Sequence, residues 1–77
     1  MALSAIGVKL VPTQPEPLFR VRIKQRGDLA WRDAQPARDC CETEALHALV
    51  TLGLTRERAW QLIDAARARG MAGSIQH

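Results

Sequence analysis

Few residues in this chain of 77 have the types and spacing that chemistry requires. The cysteines Cys40 and Cys41 are adjacent, and adjacent cysteines rarely pair because the small ring strains the peptide bond between them. A zinc site needs about four ligands, and the only other soft ligands are His47 and His77. We therefore predict no disulfide and no metal site, as is typical of a reducing compartment.

Catalytic motifs are equally scarce. The chain contains no Gly-rich phosphate loop, no HExxH or CxxC motif and no nucleophile elbow. Acid–base catalysis needs titratable groups held in a desolvated pocket, whereas the carboxylates here fall in predicted loops or at helix starts. We expect a protein that is not an enzyme, with no catalytic residue and no cofactor.

The clearest charge pattern lies on one predicted strand, over residues 18–26. Apolar and cationic side chains alternate there, which is the period of a half-buried strand. The apolar set is Phe19, Val21 and Ile23. The cationic face could bind nucleic-acid phosphates through Arg20, Arg22, Lys24 and, on a facing strand, Arg32, with Arg26 at the turn. The alternative is a solvated outer face without stacking aromatics, whose charges discourage edge-to-edge association.

Two further strands should position that face. Alternating apolar residues predict one over about residues 5–11, and the segment PTQPEP then connects it to the cationic strand. Gly27 breaks the cationic strand, and residues 29–34 form its return. A loop of residues 26–28 sets Trp31 opposite Ile23 on the core face, whereas a shorter, two-residue loop would put Trp31 on the cationic side. Burial favours the longer loop.

Two helices are predicted to follow, over about residues 40–52 and 55–69. Asp39 and Glu42 have the spacing of a capping pair, Gly53 can end the first helix and Thr55 can cap the second. Gly70 ends the second helix, and residues 70–77 are expected to form a mobile tail. The prediction is a single α+β domain over residues 1–77, with a three-stranded antiparallel sheet and two helices packed on one face.

The predicted helix pair carries a family resemblance. The segment EALHALVTLGLTRERAWQLIDAA, residues 44–66, resembles the small C-terminal helical domain of the RuvA Holliday-junction protein and, more loosely, ubiquitin-associated domains. The matching positions are Leu49, Leu52, Gly53, Ala59, Leu62 and Ile63. This resemblance implies protein contacts made by the turn and the neighbouring helix faces. Leu54 replaces the usual aromatic residue, and nothing resembles the oligonucleotide-binding part of RuvA.

Part of the same segment, GLTRERAWQLI, also looks like the turn and recognition helix of helix-turn-helix regulators. That resemblance implies base or phosphate contacts by Arg56, Arg58 and Gln61. Trp60 lies on the same helix face as Arg56 and Arg67, and it is either core or the centre of a protein interface. These three, Trp60, Arg56 and Arg67, are the predicted partner-binding residues.

The charge balance is mild, with a net charge of +3 and a pI near 9.5, so a polyanionic partner is allowed but not required. No apolar run approaches the length of a membrane span, and the start MALSAIG lacks the features of a secretory signal, so a cytoplasmic protein is expected. The sequence favours a small binding module that regulates or inhibits a larger protein or nucleoprotein assembly. Phage-encoded inhibitors of host defence, such as anti-CRISPR proteins, are similar in size and in their lack of catalytic residues. The alternative is a nucleic-acid-binding accessory protein.

Overall fold

Within the residues that the structure describes, the sheet has four antiparallel strands, one more than the sequence predicts. A computed structural model describes residues 3–34 and 37–75. The elements in chain order are strands β1 (Leu3–Val11), β2 (Leu18–Gln25) and β3 (Arg32–Asp33), helices α1 (Glu42–Thr51) and α2 (Arg56–Arg69), and strand β4 (Met71–Ile75). The strand order in the sheet is β3-β2-β1-β4. The α+β class and the two helices are confirmed.

The additional strand, β4, is formed by the segment that was expected to be a mobile tail. Gly70 adopts a left-handed conformation with φ of 89° and turns the chain back from α2. The Leu10 N–H then donates to the Gly70 carbonyl at 2.8 Å, and β4 pairs with β1 from Met71 opposite Lys9 to Ile75 opposite Ala5. The five residues of β4 lack a strict alternation of apolar and polar side chains, so the sequence did not predict a strand there. They form a strand because they pair with the open edge of β1. Residues 76–77 of the predicted tail lie outside the described residues.

One face of the sheet, called the inner face here, is covered by both helices. Ile6 and Val8 of β1 and Phe19 and Val21 of β2 are almost fully buried on this face, as their alternation predicts. The helices supply the other half of the core with Ala45, Leu46, Ala48, Leu49, Ala59, Leu62, Ile63 and Ala66. The alternate residues of β1 and β2, including Arg20, Arg22 and Lys24, therefore lie on the opposite, outer face.

The β2–β3 hairpin differs from the prediction by one residue of register. Ile23 lies opposite Arg32, so Trp31 is on the outer face and not beneath the helices. Asp28 closes the turn, because its carboxylate accepts from the Gln25 N–H at 2.9 Å and its N–H donates back to the Gln25 carbonyl at 3.0 Å, and residues 28–31 then lie outside the regular pairing. The shift is toward a longer connection than either predicted loop, since Ile23 lies opposite Arg32 and not opposite Trp31 or Ala30. Regular pairing covers only residues 32–33, in place of the predicted 29–34.

Helix α1 begins two residues later than predicted, because its N-cap is Cys41 and not Asp39. The Glu44 carboxylate accepts from the Cys41 N–H at 3.5 Å, whereas Asp39 is engaged by Arg20. Helix α2 has the predicted cap, since the Thr55 hydroxyl accepts from the Arg58 N–H at 3.2 Å. The turn between the helices contains Gly53 with φ of 113°, as expected for that glycine.

The weak cap of α1 leads to a first prediction. Cys41 is exposed, and a thiol is a poorer hydrogen-bond acceptor than a carboxylate. We expect Cys41→Asp to increase the free energy of unfolding by about 1 kcal/mol, which raises Tm by roughly 4–8 °C. Thermal unfolding followed by circular dichroism measures the shift. Cys40→Ser, which places a hydroxyl in the core, should lower Tm, and an unchanged Tm for Cys41→Asp would show that the α1 cap does not limit stability.

Candidate binding surface

Trp31 lies on the outer face against two glycines that face each other across β1 and β4. These are Gly7 and Gly73, called the glycine floor here. A Cβ on Gly7 would lie 3.1 Å from Cη2 of the Trp31 ring, and a Cβ on Gly73 would lie 3.4 Å from the same atom. The six-membered ring of the indole therefore occupies the space that side chains would take in any other strand pair. One aromatic ring therefore packs over two strand glycines, which have no side chains of their own to cover the sheet.

Neighbouring cations hold Trp31 in place. Lys24 Nζ lies 5.3 Å from the centroid of the Trp31 ring, within the range of a cation–π interaction. Arg22 Nη2 donates to the Trp31 carbonyl at 3.0 Å. Trp31 remains only half-buried under these contacts. The outer face therefore contains a preorganised, partly accessible aromatic ring, which corrects the expectation that this face lacks one.

The predicted nucleic-acid-binding arginines are engaged within the protein. Arg20 donates to the Asp39 carboxylate at 2.8 and 3.0 Å and to Asp33 at 3.1 Å. The hydrogen bonds to Asp39 raise the pKa of Arg20 above its ordinary value. Arg22 Nε lies 3.1 Å from Asp33 Oδ1, and this contact is electrostatic because its geometry is not that of a hydrogen bond.

Arg32 also has a carboxylate partner, Asp28, at 2.9 Å. Among the four predicted residues, only Lys24 forms no ion pair within residues 3–34 and 37–75. Alternation placed Arg20, Arg22 and Lys24 on the outer face correctly, but the prediction was wrong for Arg32, which lies opposite Ile23 and therefore on the side of the inner face. The sequence also did not show that Asp33 and Asp39 would reach the outer face. Their approach depends on the hairpin turn and on the path of the chain after β3.

The predicted partner-binding residues do not form one free cluster. Trp60 is half-buried and packs against the core, so it is not a fully exposed contact. Arg67 pairs with Glu42 of α1 and with Asp64, and its guanidinium lies 5.8 Å from the centroid of the Phe19 ring. Arg56 is exposed beside a separate hollow between the helices, lined by Thr43, Leu46, His47 and Val50.

The distribution of the remaining charge is uneven. Six of the eight acidic residues form ion pairs: Asp28, Asp33, Asp39, Glu42, Glu44 and Asp64. Within the described residues, the cations without an ion pair are Lys9, Lys24, Arg26, Arg56, Arg58 and Arg69. The positive charge that is free to meet a partner therefore lies on β1, on the β2–β3 hairpin and at both ends of α2.

The two edges of the sheet are different. On one edge, β3 is short and charged. Beyond β3, the backbone of Cys40 pairs with that of Phe19 in β2 through two hydrogen bonds of 2.7 Å, so this part of the β2 edge is also covered. On the other edge, β4 has no charged residue and exposes 37% of Met71 and 72% of Ile75. Natural edge strands are usually protected by charges, proline or a covering element. In the described part of the chain, β4 has none of these.

A hollow of about 390 Å³ runs between β4 and α2. It is lined by Arg58, Gln61, Leu62, Gly73, Ser74 and Ile75. Arg58 Nη2 donates to the Ser74 hydroxyl at 2.7 Å, which holds the guanidinium above the inner face of β4. The open edge therefore has a hollow on its inner side and the Trp31 ring near its outer side.

The groups with nucleophilic or metal-binding chemistry do not converge. Cys40 is buried, and this burial raises the pKa of its thiol. Residues 3–34 and 37–75 contain no group of three His, Cys, Asp or Glu side chains that could hold a metal ion. The helices in the same ranges are too short or too polar to cross a bilayer.

Comparison of the chain with protein-family models, curated proteins and solved structures finds no match.

Proposed function

We propose that this protein is a non-catalytic module that binds a larger protein or nucleoprotein assembly through the open edge of β4 and the adjacent Trp31. This β4–Trp31 surface consists of Trp31, Met71, Gly73 and Ile75. The observation that supports it is an uncharged edge strand with an exposed isoleucine beside a fixed, half-exposed tryptophan. Partner strands gain backbone hydrogen bonds at such an edge, and tryptophan is enriched among the residues that contribute most to binding.

Rigidity favours this surface over the helix surface predicted from the sequence. The glycine floor and Lys24 already hold Trp31, so binding would cost little side-chain entropy. Arg67, in contrast, would have to leave Glu42 and Asp64 to contact a partner. A small module of this kind acts by occupying a surface of its target. Regulation or inhibition, as by phage-encoded anti-CRISPR proteins, is the proposed consequence.

Direct nucleic-acid binding is the second candidate, and Trp31 is the observation that favours it. Proteins that bind single strands combine cations with aromatic rings on which bases stack. Lys24 lies over the Trp31 ring and Lys9 is exposed on the same face. The salt dependence of binding distinguishes the two candidates. A complex held by phosphate contacts weakens steeply from 50 to 200 mM salt, roughly 10-fold or more for two or three contacts. A protein interface that contains Ile75 and Trp31 weakens little over the same range.

The second prediction concerns capture of the partner. We expect Ile75→Lys to weaken partner binding about tenfold or more, because a charge replaces the most exposed apolar side chain of the β4–Trp31 surface. Affinity capture from the native host, identification by mass spectrometry and titration of the purified partner measure this effect. Leu29→Lys is the matched control, since Leu29 is 99% exposed at the β2–β3 turn, away from β4.

Equal binding by wild type and Ile75→Lys would contradict the proposed function. Loss of binding in Trp60→Ala, with the fold intact and Ile75→Lys unaffected, would assign the contact to the helix surface predicted from the sequence. A complex with single-stranded DNA that dissociates between 50 and 200 mM salt would support the second candidate.

A further inference from the structure

The backbone groups of β4 that point away from the sheet can be identified from the pairing with β1. In an antiparallel ladder, residues alternate between those that bond to the neighbouring strand and those whose N–H and C=O point outward. The hydrogen bond from Leu10 to Gly70 places Gly70, and hence Ala72 and Ser74, in the bonded set. Met71, Gly73 and Ile75 therefore present their N–H and C=O groups at the open edge.

The side chains of β4 divide in the same alternating way. Met71 and Ile75 lie on the outer face with Trp31, whereas Ser74 lies on the inner face under Arg58. A strand added beside β4 would place its own side chains in the same two sets. Residues opposite Met71, Gly73 and Ile75 would extend the outer face, and the residue opposite Ser74 would enter the hollow beside Arg58.

The charges around this edge are positive. Arg58 is exposed above the inner face, Arg69 ends α2 two residues before β4, and Lys9 lies opposite Met71 on the outer face. None of the three forms an ion pair within the described ranges. Of the two acidic residues without an ion pair, Glu16 lies in the β1–β2 connection and Glu57 is exposed in the first turn of α2.

Arg58 also occupies a position that helix stability does not favour. It lies in the first turn of α2, where the helix dipole favours acidic side chains. Its hydrogen bond to Ser74 is to a neutral hydroxyl, so the positive charge of the guanidinium is not neutralised by that contact. A carboxylate from outside the molecule would complement it.

From these observations, and resting on the proposed function, we infer that the partner contributes an extended acidic segment that pairs antiparallel with β4 as a fifth strand. Its apolar residues cover Met71 and Ile75 on the outer face. A carboxylate on its inner face reaches Arg58. Main-chain hydrogen bonds to Met71, Gly73 and Ile75 supply affinity, and the alternating side chains supply specificity.

A second copy of this chain fits the edge less well. Two β4 strands could pair through the same backbone groups, but β4 contains no carboxylate to place beside Arg58. Self-pairing would also bring a second Arg58 and Arg69 to the edge of a chain that already has a net charge of +3. The charges therefore favour an acidic partner strand over a homodimer.

The third prediction uses two peptide probes on the full chain labelled with ¹⁵N. One peptide alternates valine and glutamate, and the other alternates valine and lysine. We expect the glutamate peptide to shift the amide resonances of Met71, Gly73 and Ile75 saturably, with roughly tenfold tighter binding than the lysine peptide. Arg58→Glu should reverse this preference. Arg26→Glu, which changes an exposed cation at the β2–β3 turn, should leave the preference for the glutamate peptide in place.

Three results would overturn the inference. The first is the absence of saturable shifts in β4 at millimolar glutamate peptide. The second is an unchanged peptide preference in Arg58→Glu. The third is a concentration-dependent shift of the β4 amides without peptide, which would assign the edge to a second copy. These three results can be distinguished from failure of the proposed function, which would appear as equal partner binding by wild type and Ile75→Lys.

Discussion

Trp31→Ala is expected to lower the free energy of unfolding by about 2 kcal/mol and Tm by roughly 10 °C. The half-buried Trp31 ring is the side chain nearest to the outer side of both Gly7 and Gly73. Its removal exposes the backbone of two paired strand glycines and ends the contact with Lys24. For a domain of this size, whose total stability is of the order of 4–11 kcal/mol, the loss is large. Chemical and thermal denaturation followed by circular dichroism measure it.

Trp31→Phe is the matched variant for this fourth prediction, because a smaller ring retains part of the cover over the glycines. We expect about half of the loss seen with alanine. A Tm within about 3 °C of wild type for Trp31→Ala would show that the ring does not rest on the glycine floor in solution. Partner affinity, measured well below the Tm of each variant, should fall with Trp31→Ala even where the variant is fully folded.

Gly7→Val is expected to cost about 3 kcal/mol, although valine is among the best residues for a strand. The reason is local: a Cβ on Gly7 would lie 3.1 Å from the Ala72 carbonyl oxygen and 3.1 Å from the Trp31 ring. The backbone of β4 cannot move away without losing its pairing with β1, and the ring cannot move without uncovering Gly73. The free energy of unfolding from urea titration tests this fifth prediction.

The other glycine of the floor is the control. The atoms nearest to a Cβ on Gly73 would be those of the Trp31 ring at 3.4 Å and the Ile6 carbonyl oxygen at 3.7 Å, which are ordinary contacts. We expect Gly73→Ala to change the free energy of unfolding by less than about 1 kcal/mol. The double variant Gly7→Val/Trp31→Ala should be more stable than the sum of the single losses, because alanine removes one of the two obstacles. Strict additivity would contradict the proposed contact.

These variants separate the two roles of Trp31. As a cover for the glycine floor, it contributes to stability, and that contribution is measured in the isolated protein. As part of the β4–Trp31 surface, it contributes to binding, and that contribution is compared with Ile75→Lys, which changes an exposed side chain. A fall in affinity for both variants, with a fall in stability for Trp31→Ala alone, is the result expected if one surface serves both purposes.

Local patterns in the sequence determined most of the architecture. The alternation of Phe19, Val21 and Ile23 with cations identified the inner and outer faces of β2, because a strand places successive side chains on opposite sides. Thr55 and Gly70 marked the ends of α2, because a helix terminus needs a side-chain acceptor or a left-handed residue. Strand alternation and helix caps depend only on residues that are close together along the chain, so they can be recognised from a single sequence.

Only the tertiary structure decided the β4–Trp31 surface. The pentapeptide MAGSI becomes a strand because the edge of β1 is open beside it. The pairing of Ile23 with Arg32, one residue away from the predicted register, places Trp31 on the outer face. Asp33 and Asp39 reach the cationic face only after the chain has folded back along β2. Each of these results depends on contacts between segments distant along the chain, and the periodicity of a single segment cannot encode them.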